Sequence, residues 1–337
     1  MRAFVVTGPG ECTVADVEPP TAGPGEVVVD VARAGVCGTD VEFFTGEMAY
    51  LHDGHAAYPM RLGHEWCGVV GAVGAGVEEA WLGRRVSGDT MLGCGRCERC
   101  RSGRQHLCRD RFEVGIRGGK PGALAEQLAV PASSLVALPD VVDDTAGAMV
   151  EPGGNALRAV WAADLHPGDR LLVLGPGTIG TLAAQFARAA GAEVHVLGER
   201  GPSLGFARSL GLEGVWTAAD LPRLAFHAVI DASTAPSLPA LALELVEPGK
   251  RVVFIGISGT PSTIDTRTMV LKDVTAVGVL SGSPALGGVV AAYAEGSVDP
   301  RPLVAATVGL AGVGDVLAGR RPAGAGAGPK IHVDPLQ

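Results

Sequence analysis

Six residues near the middle of the chain, Gly175-Pro176-Gly177-Thr178-Ile179-Gly180, constrain the fold more than any others. They follow the apolar run at 171–174 and open an apolar segment at 179–190, after which a second strand-like run begins at 194–197. A lone G-x-G-x-x-G is a weak signal, but in a strand–turn–helix–strand context it is specific. Gly175 permits the tight turn. Gly177 lets a pyrophosphate approach the backbone at the helix N-terminus, and Gly180 lets helix and strand pack closely. The same alternation continues through 204–210, 228–231 and 252–255. It predicts a parallel sheet with crossover helices over 157–301.

The flanking sequence reads differently. Up to residue 156 it consists of short strands and turns, such as Val27-Val28-Val29-Asp30-Val31 and the run at 66–73, cut by Gly and Pro. Short strands return from residue 302, with a Gly/Ala/Pro loop at 321–329. At 337 residues the chain is long enough for two domains. The expected architecture is a nucleotide domain at 157–301 inserted into a β-rich domain of 1–156 and 302–337. Aromatics make up only 4% of the chain, so Ala, Val and Leu must build both cores.

Charge narrows the partners. Asp and Glu number 36 against 27 Lys and Arg, with no basic run, which excludes nucleic acid and anionic membrane as expected partners. No apolar stretch reaches the ~18 residues of a spanning helix. The start of the chain shows no export signal, so a cytoplasmic, reducing location is expected. Four of the seven cysteines crowd into 94–108, which in that compartment points to metal.

Cys94, Cys97, Cys100 and Cys108 read C-x2-C-x2-C-x7-C. Four thiolates at such spacing wrap one tetrahedral zinc, and four sulfurs leave no open position, so the site reads as structural. Arg96, Arg99, Arg101 and Arg104 interleave the ligands and offset their charge. A second donor set is dispersed: Cys37 in Gly35-Val36-Cys37-Gly38-Thr39-Asp40, His64-Glu65 after Gly63, and Glu151 in Val150-Glu151-Pro152-Gly153-Gly154-Asn155. Singly, each has a dull reading as core or loop. Together they offer sulfur, nitrogen and carboxylate oxygen, the mixture of an open catalytic zinc.

These motifs, in this order, resemble the zinc-containing medium-chain dehydrogenases over nearly the whole chain. The resemblance implies a GroES-like β-barrel domain joined to a doubly wound Rossmann domain, with the active site in the cleft between them. It implies Cys37 and His64 as catalytic-zinc ligands, with Glu65, and Glu151 directly or through water, completing the shell as in the polyol and sugar branch. Asp40 matches the carboxylate that orients the ligand histidine, and Thr39 the hydroxyl that passes the substrate proton outward. Many relatives carry a histidine where this chain has Glu42. The Cys-Gly-Thr-Asp-x-Glu pattern and Glu113-Val114-Gly115-Ile116 are similar to the zinc glucose dehydrogenases, where residues matching Glu113 and Asn155 face the sugar.

The loop at 48–58, with His52 and His55, is either a solvated surface or a lid offering hydrogen bonds to a hydroxylated substrate. Beyond the glycine motif, Thr178 and Ile179 open the cofactor helix. The second strand ends in Gly198-Glu199-Arg200. Glycine at the acid position with arginine two later resembles NADP-selective members, while Glu199 suits a ribose hydroxyl, so NADP or NAD is expected with a slight lean to NADP. The expected activity is hydride transfer between NAD(P) and an alcohol or carbonyl, the substrate being polyhydroxylated or amino-hydroxylated. Relatives imply a homodimer or homotetramer. The competing readings are a zinc-free quinone or enoyl reductase on the same fold, which would not need the zinc ligands, and a non-catalytic binding protein on a dehydrogenase scaffold.

Overall fold

In the computed structural model of the protein, the apolar alternation becomes a six-stranded parallel sheet. The structure describes residues 1–199, 201–212 and 214–337. Strand order runs Gly214–Trp216, Glu193–Leu197, Arg170–Leu174, Phe226–Asp231, Val246–Phe254, Thr275–Gly278. The first strand in sequence, Arg170–Leu174, therefore lies inside the sheet, between the second strand and Phe226–Asp231. Successive connections leave it in opposite directions, which opens a crevice at the carboxyl ends of the strands. Leu171, Leu172, Val173 and Leu174 are fully buried, as expected of a strand covered on both faces.

The second sheet has seven strands. Its order is Val304–Val308, Lys330–Val333, Glu26–Val36, Glu65–Val73, Arg85–Gly88 and Leu135–Ala137, with Gln127–Pro131 also paired to Glu26–Val36. Lys330–Val333 joins antiparallel, with Ile331 opposite Val36 and His332 opposite Gly35. The chain's last strand is thus laid beside the segment that leads into Cys37. Trp66 and Phe43 are the largest side chains wholly buried on this side, among Val, Leu and Ala.

The helix Val150–Ala163 bridges the two halves. It packs against the helix Thr178–Ala189 of the parallel sheet and against the strand Glu65–Val73. Gly153 and Gly154 make this close seating possible: a Cβ on Gly154 would stand 2.7 Å from Leu286, and one on Gly153 would overlap the Tyr293 hydroxyl. Among the described residues, no helix is long and apolar enough to cross a membrane.

Candidate active site

Strand pairing creates the first cluster. Gly35 lies opposite Glu65 and Ala34 opposite Trp66, so the end of Glu26–Val36 meets the start of Glu65–Val73. Cys37 follows the first strand as the N-cap of the helix Gly38–Thr45, and His64 precedes the second. One donor atom each from Cys37, His64 and Glu65 lies within 4.8 Å of the others. Gly35 is required here because a Cβ would overlap the Glu65 carboxylate.

Asp40 organises this corner. It is fully buried. Its Oδ2 accepts the Cys37 amide at 2.8 Å and its Oδ1 accepts the Gly63 amide at 3.3 Å. The same Oδ1 faces His64 Nδ1 at 3.6 Å. Burial opposes a charge on His64, but Asp40, with Cys37, outweighs it and holds the imidazole pKa well above its usual value. Nδ1 turned toward a carboxylate fixes the ring so that Nε2 is the nitrogen left to donate to a cation. Thr39 stands half-buried in the first turn of the same helix.

Two features were not legible in the sequence. Lys330 Nζ lies 2.7 Å from both carboxylate oxygens of Glu65 and 3.0 Å from the Val36 carbonyl oxygen. Burial works against its ammonium, yet the Glu65 carboxylate prevails and the pKa is raised. The available signal was a lysine, one of only four in the chain, inside the apolar strand Lys330–Val333. The second is Asp231, buried at the carboxyl end of Phe226–Asp231, where burial pushes its carboxyl up to about 6 against the hydrogen bond it accepts from Ser233.

Glu151 opens the bridging helix and stands outside the tight cluster of three. Asn155 Nδ2 donates to its Oε1 at 2.9 Å. Burial pushes the Glu151 carboxyl up to about 7, and Glu65 adds to the shift while His64 opposes it. A cation held between these groups would remove the repulsion between the two carboxylates. The donor set, a thiol, an imidazole and two carboxyls, fits a zinc ion with an open position.

The four remaining cysteine ligand candidates converge as a separate lobe. Cys94, Cys97, Cys100 and Cys108 bring their sulfurs within 4.8 Å of one another. Cys97 Sγ lies 3.5 Å from that of Cys100 and 3.8 Å from that of Cys108. Four soft donors in such a shell suit a closed zinc site.

At the crevice of the parallel sheet, Gly175 has φ +95°, a conformation that favours glycine. A Cβ on Gly180 would overlap the Gly175 carbonyl oxygen. Gly177 caps the helix Thr178–Ala189, and a Cβ on it would meet nothing within 4 Å among the described residues. The open space before its amide and those of Thr178 and Ile179 is what a pyrophosphate at a helix N-terminus needs. Gly198 abuts Pro176: a Cβ there would stand 2.7 Å from Pro176 Cδ, so packing already accounts for this glycine. Glu199 is exposed; Arg200 lies outside the described residues.

The candidate substrate residues divide. Asn155 shares a helix face with Glu151. Glu113 is buried and bound by Arg111 Nε at 2.7 Å and by the Tyr50 hydroxyl at 3.3 Å, so its carboxylate does not stand free. His52 is exposed and pairs with the Gly46 carbonyl oxygen at 3.1 Å, and His55, also exposed, meets Arg117.

Comparison with known proteins agrees with this two-domain fold. Residues 23–140 match the family model described as an alcohol dehydrogenase GroES-like domain, and residues 178–295 match that of a zinc-binding dehydrogenase. The chain is 34% identical over 297 residues to an L-threonine 3-dehydrogenase of Deinococcus radiodurans, covering 83% of this chain and 82% of that one. Its backbone superposes on an Escherichia coli CFT073 alcohol dehydrogenase complexed with NADH at TM-score 0.90, 26% identity and 99% coverage of both chains. It likewise matches a zinc-binding dehydrogenase of Sinorhizobium meliloti 1021 bound to NADP, at TM-score 0.89, 27% identity and 99% coverage of both.

Proposed function

This chain belongs to the zinc-binding, medium-chain alcohol dehydrogenases, and on that premise we propose that it oxidises amino-hydroxylated or polyhydroxylated alcohols, or reduces the corresponding carbonyls, at the corner formed by Cys37, His64 and Glu65. The observation that carries this reading is the convergence of those three donors within 4.8 Å, beside a helix that brings in Glu151.

Cys37 and His64 would hold the catalytic zinc, with Glu65 and Glu151 as its carboxylate partners, and the four-cysteine lobe would hold the structural ion. When bound, the zinc supplies Lewis acidity toward an alcohol oxygen and NAD(P) accepts the hydride. The chain's own groups do the rest. Asp40 orients His64. Lys330 balances the Glu65 charge, so that the buried corner does not carry an excess of anions. Thr39 accepts the hydroxyl proton of the substrate and passes it outward. The amides of Gly177, Thr178 and Ile179 bind the pyrophosphate, Gly175 and Gly180 shape the turn, and Gly198 and Glu199, with Arg200 outside the described residues, are assigned to the adenosine ribose, with NADP ahead of NAD. Asn155 fixes Glu151 and faces the substrate.

We assign residues 1–156 and 302–337 to the catalytic domain and 157–301 to the cofactor domain. A homodimer or homotetramer in the cytoplasm is the expected assembly and place. The exposed edge strand Thr275–Gly278, with exposed Val270 and Leu271 nearby, supports self-association. The test is a panel of 3-hydroxy amino acids, polyols and aliphatic secondary alcohols with zinc-loaded protein and each cofactor, followed at the reduced nicotinamide band. Aliphatic alcohols outrunning both hydroxylated classes would overturn the substrate reading, and a large NAD preference would overturn the cofactor order.

A further inference from the structure

One buried ion-pair network beside the metal corner holds more cations than acids. Arg111 Nε donates to Glu113 Oε1 at 2.7 Å, its Nη1 to the Cys108 carbonyl oxygen at 3.3 Å and its Nη2 to the Tyr50 hydroxyl at 3.3 Å. Arg117 Nη1 lies 4.0 Å from the same Glu113 oxygen, and its guanidinium carbon stands 5.5 Å from the centroid of the Tyr50 ring. Its Nη2 approaches His55 at 3.4 Å. Among the described residues, Glu113 is the only acid paired with either arginine. The two side chains are only 14% and 15% exposed, so the surplus positive charge is largely enclosed. Each guanidinium carries five N–H donors in a planar fork, and Arg117 commits one nitrogen to His55.

The network borders the candidate active site. The Val114 amide donates to the Thr90 carbonyl oxygen at 3.0 Å, and Thr90 Oγ1 to the His64 carbonyl oxygen at 3.1 Å. The backbone next to Glu113 is therefore tied, through Thr90, to the main chain of His64.

We propose that Arg117, backed by the charge of Arg111, receives an oxyanion carried by the substrate alcohol, a carboxylate or a phosphate. An enclosed surplus cation is stabilised by an anion that joins it, and the guanidinium fork matches both groups bidentately. Glu113 then serves as the clamp that positions Arg111 and Arg117. This inference rests on the dehydrogenase reading above and narrows its substrate class.

The experiment uses zinc-loaded protein and two matched substrate pairs: a 3-hydroxy-2-amino acid against the amino alcohol lacking its carboxylate, and a polyol phosphate against the free polyol. Wild type should favour the anionic member of one pair, and that pair identifies the oxyanion. In Arg117→Gln the anionic-to-neutral ratio of kcat/KM should fall about tenfold or more, and Arg117→Lys should restore part of it. A ratio near one for both pairs in wild type, or an unchanged ratio in Arg117→Gln, overturns the proposal. If no alcohol is turned over, the dehydrogenase reading fails, and the oxyanion site is decided by thermal unfolding with inorganic phosphate or malonate. A rise in Tm that disappears in Arg117→Gln supports the site, and no rise in wild type overturns it.

Discussion

Lys330 Nζ lies 2.7 Å from both oxygens of the Glu65 carboxylate, and both side chains are almost fully buried. The two residues are 265 positions apart, so the final strand completes the electrostatics of a corner built near the start of the chain. Removing one partner of a buried pair leaves an uncompensated charge. Lys330→Met should therefore cost the zinc-free protein about 3–5 kcal/mol. A bound cation next to Glu65 would replace part of the lost charge, so zinc should raise the stability of the variant more than that of wild type. Chemical denaturation of both proteins, with and without zinc, measures this. Equal zinc-dependent gains would mean that Glu65 and the ion do not share a field.

The two metal sites should separate under mutation. Cys37→Ala should reduce bound zinc from two ions to one and abolish turnover, with little change in Tm, because Cys37 is only half-buried and its loss opens little of the core. Cys97→Ser removes one of four converging sulfurs of the lobe and should mainly lower stability or assembly, since a closed tetrathiolate site holds its segment together. Metal analysis alongside thermal unfolding reads both effects. Loss of chemistry without loss of stability in Cys97→Ser would reverse the two assignments.

Gly177 and Gly180 are expected to fail for different reasons. A methyl at Gly180 has no room beside the Gly175 carbonyl, so Gly180→Ala should destabilise the protein even without cofactor. A methyl at Gly177 meets nothing among the described residues. Gly177→Ala should unfold like wild type while losing dinucleotide affinity by about tenfold or more, since the methyl intrudes where phosphate approaches the backbone. Tm and cofactor titration together test the pair. Normal cofactor affinity in Gly177→Ala would sink the placement of the pyrophosphate.

Both halves of the fold could be anticipated because their periodicities differ. Runs such as Leu171 to Leu174 are apolar at every position when both faces are covered, and the glycine motif sits directly after one. The cysteine lobe was legible because its ligands are close in sequence. Lys330 was not, because sequence separation hides a partner brought in by strand pairing; only its position within an apolar strand marked it. Glu113 shows the opposite limit. Its motif suggested a free hydrogen-bonding group, whereas the structure gives its carboxylate to Arg111. An arginine two residues away looks like an ordinary surface charge until the turn that folds it back is known.

His332 gives a prediction for acid. It lies between the Lys330–Glu65 pair and the Arg33–Asp334 pair, is fully buried, and has no hydrogen-bond partner among the described residues on either ring nitrogen. Burial, then the charges of Lys330 and Arg33, lower its pKa from the ordinary 6.5 to about 3. The folded protein thus keeps the ring neutral where the unfolded chain takes up a proton. Stability should fall as pH drops below 6.5, with a slope of about 1.4 kcal/mol per pH unit from this group, and the loss should be complete near pH 3. His332→Leu removes that slope and two unpartnered polar atoms. The stability of the variant relative to wild type should therefore be about 2 kcal/mol more favourable at pH 5 than at pH 8. Urea denaturation at both pH values supplies the comparison. Parallel pH profiles would show that the ring is solvated or protonated in the folded protein, contrary to its burial between two cations.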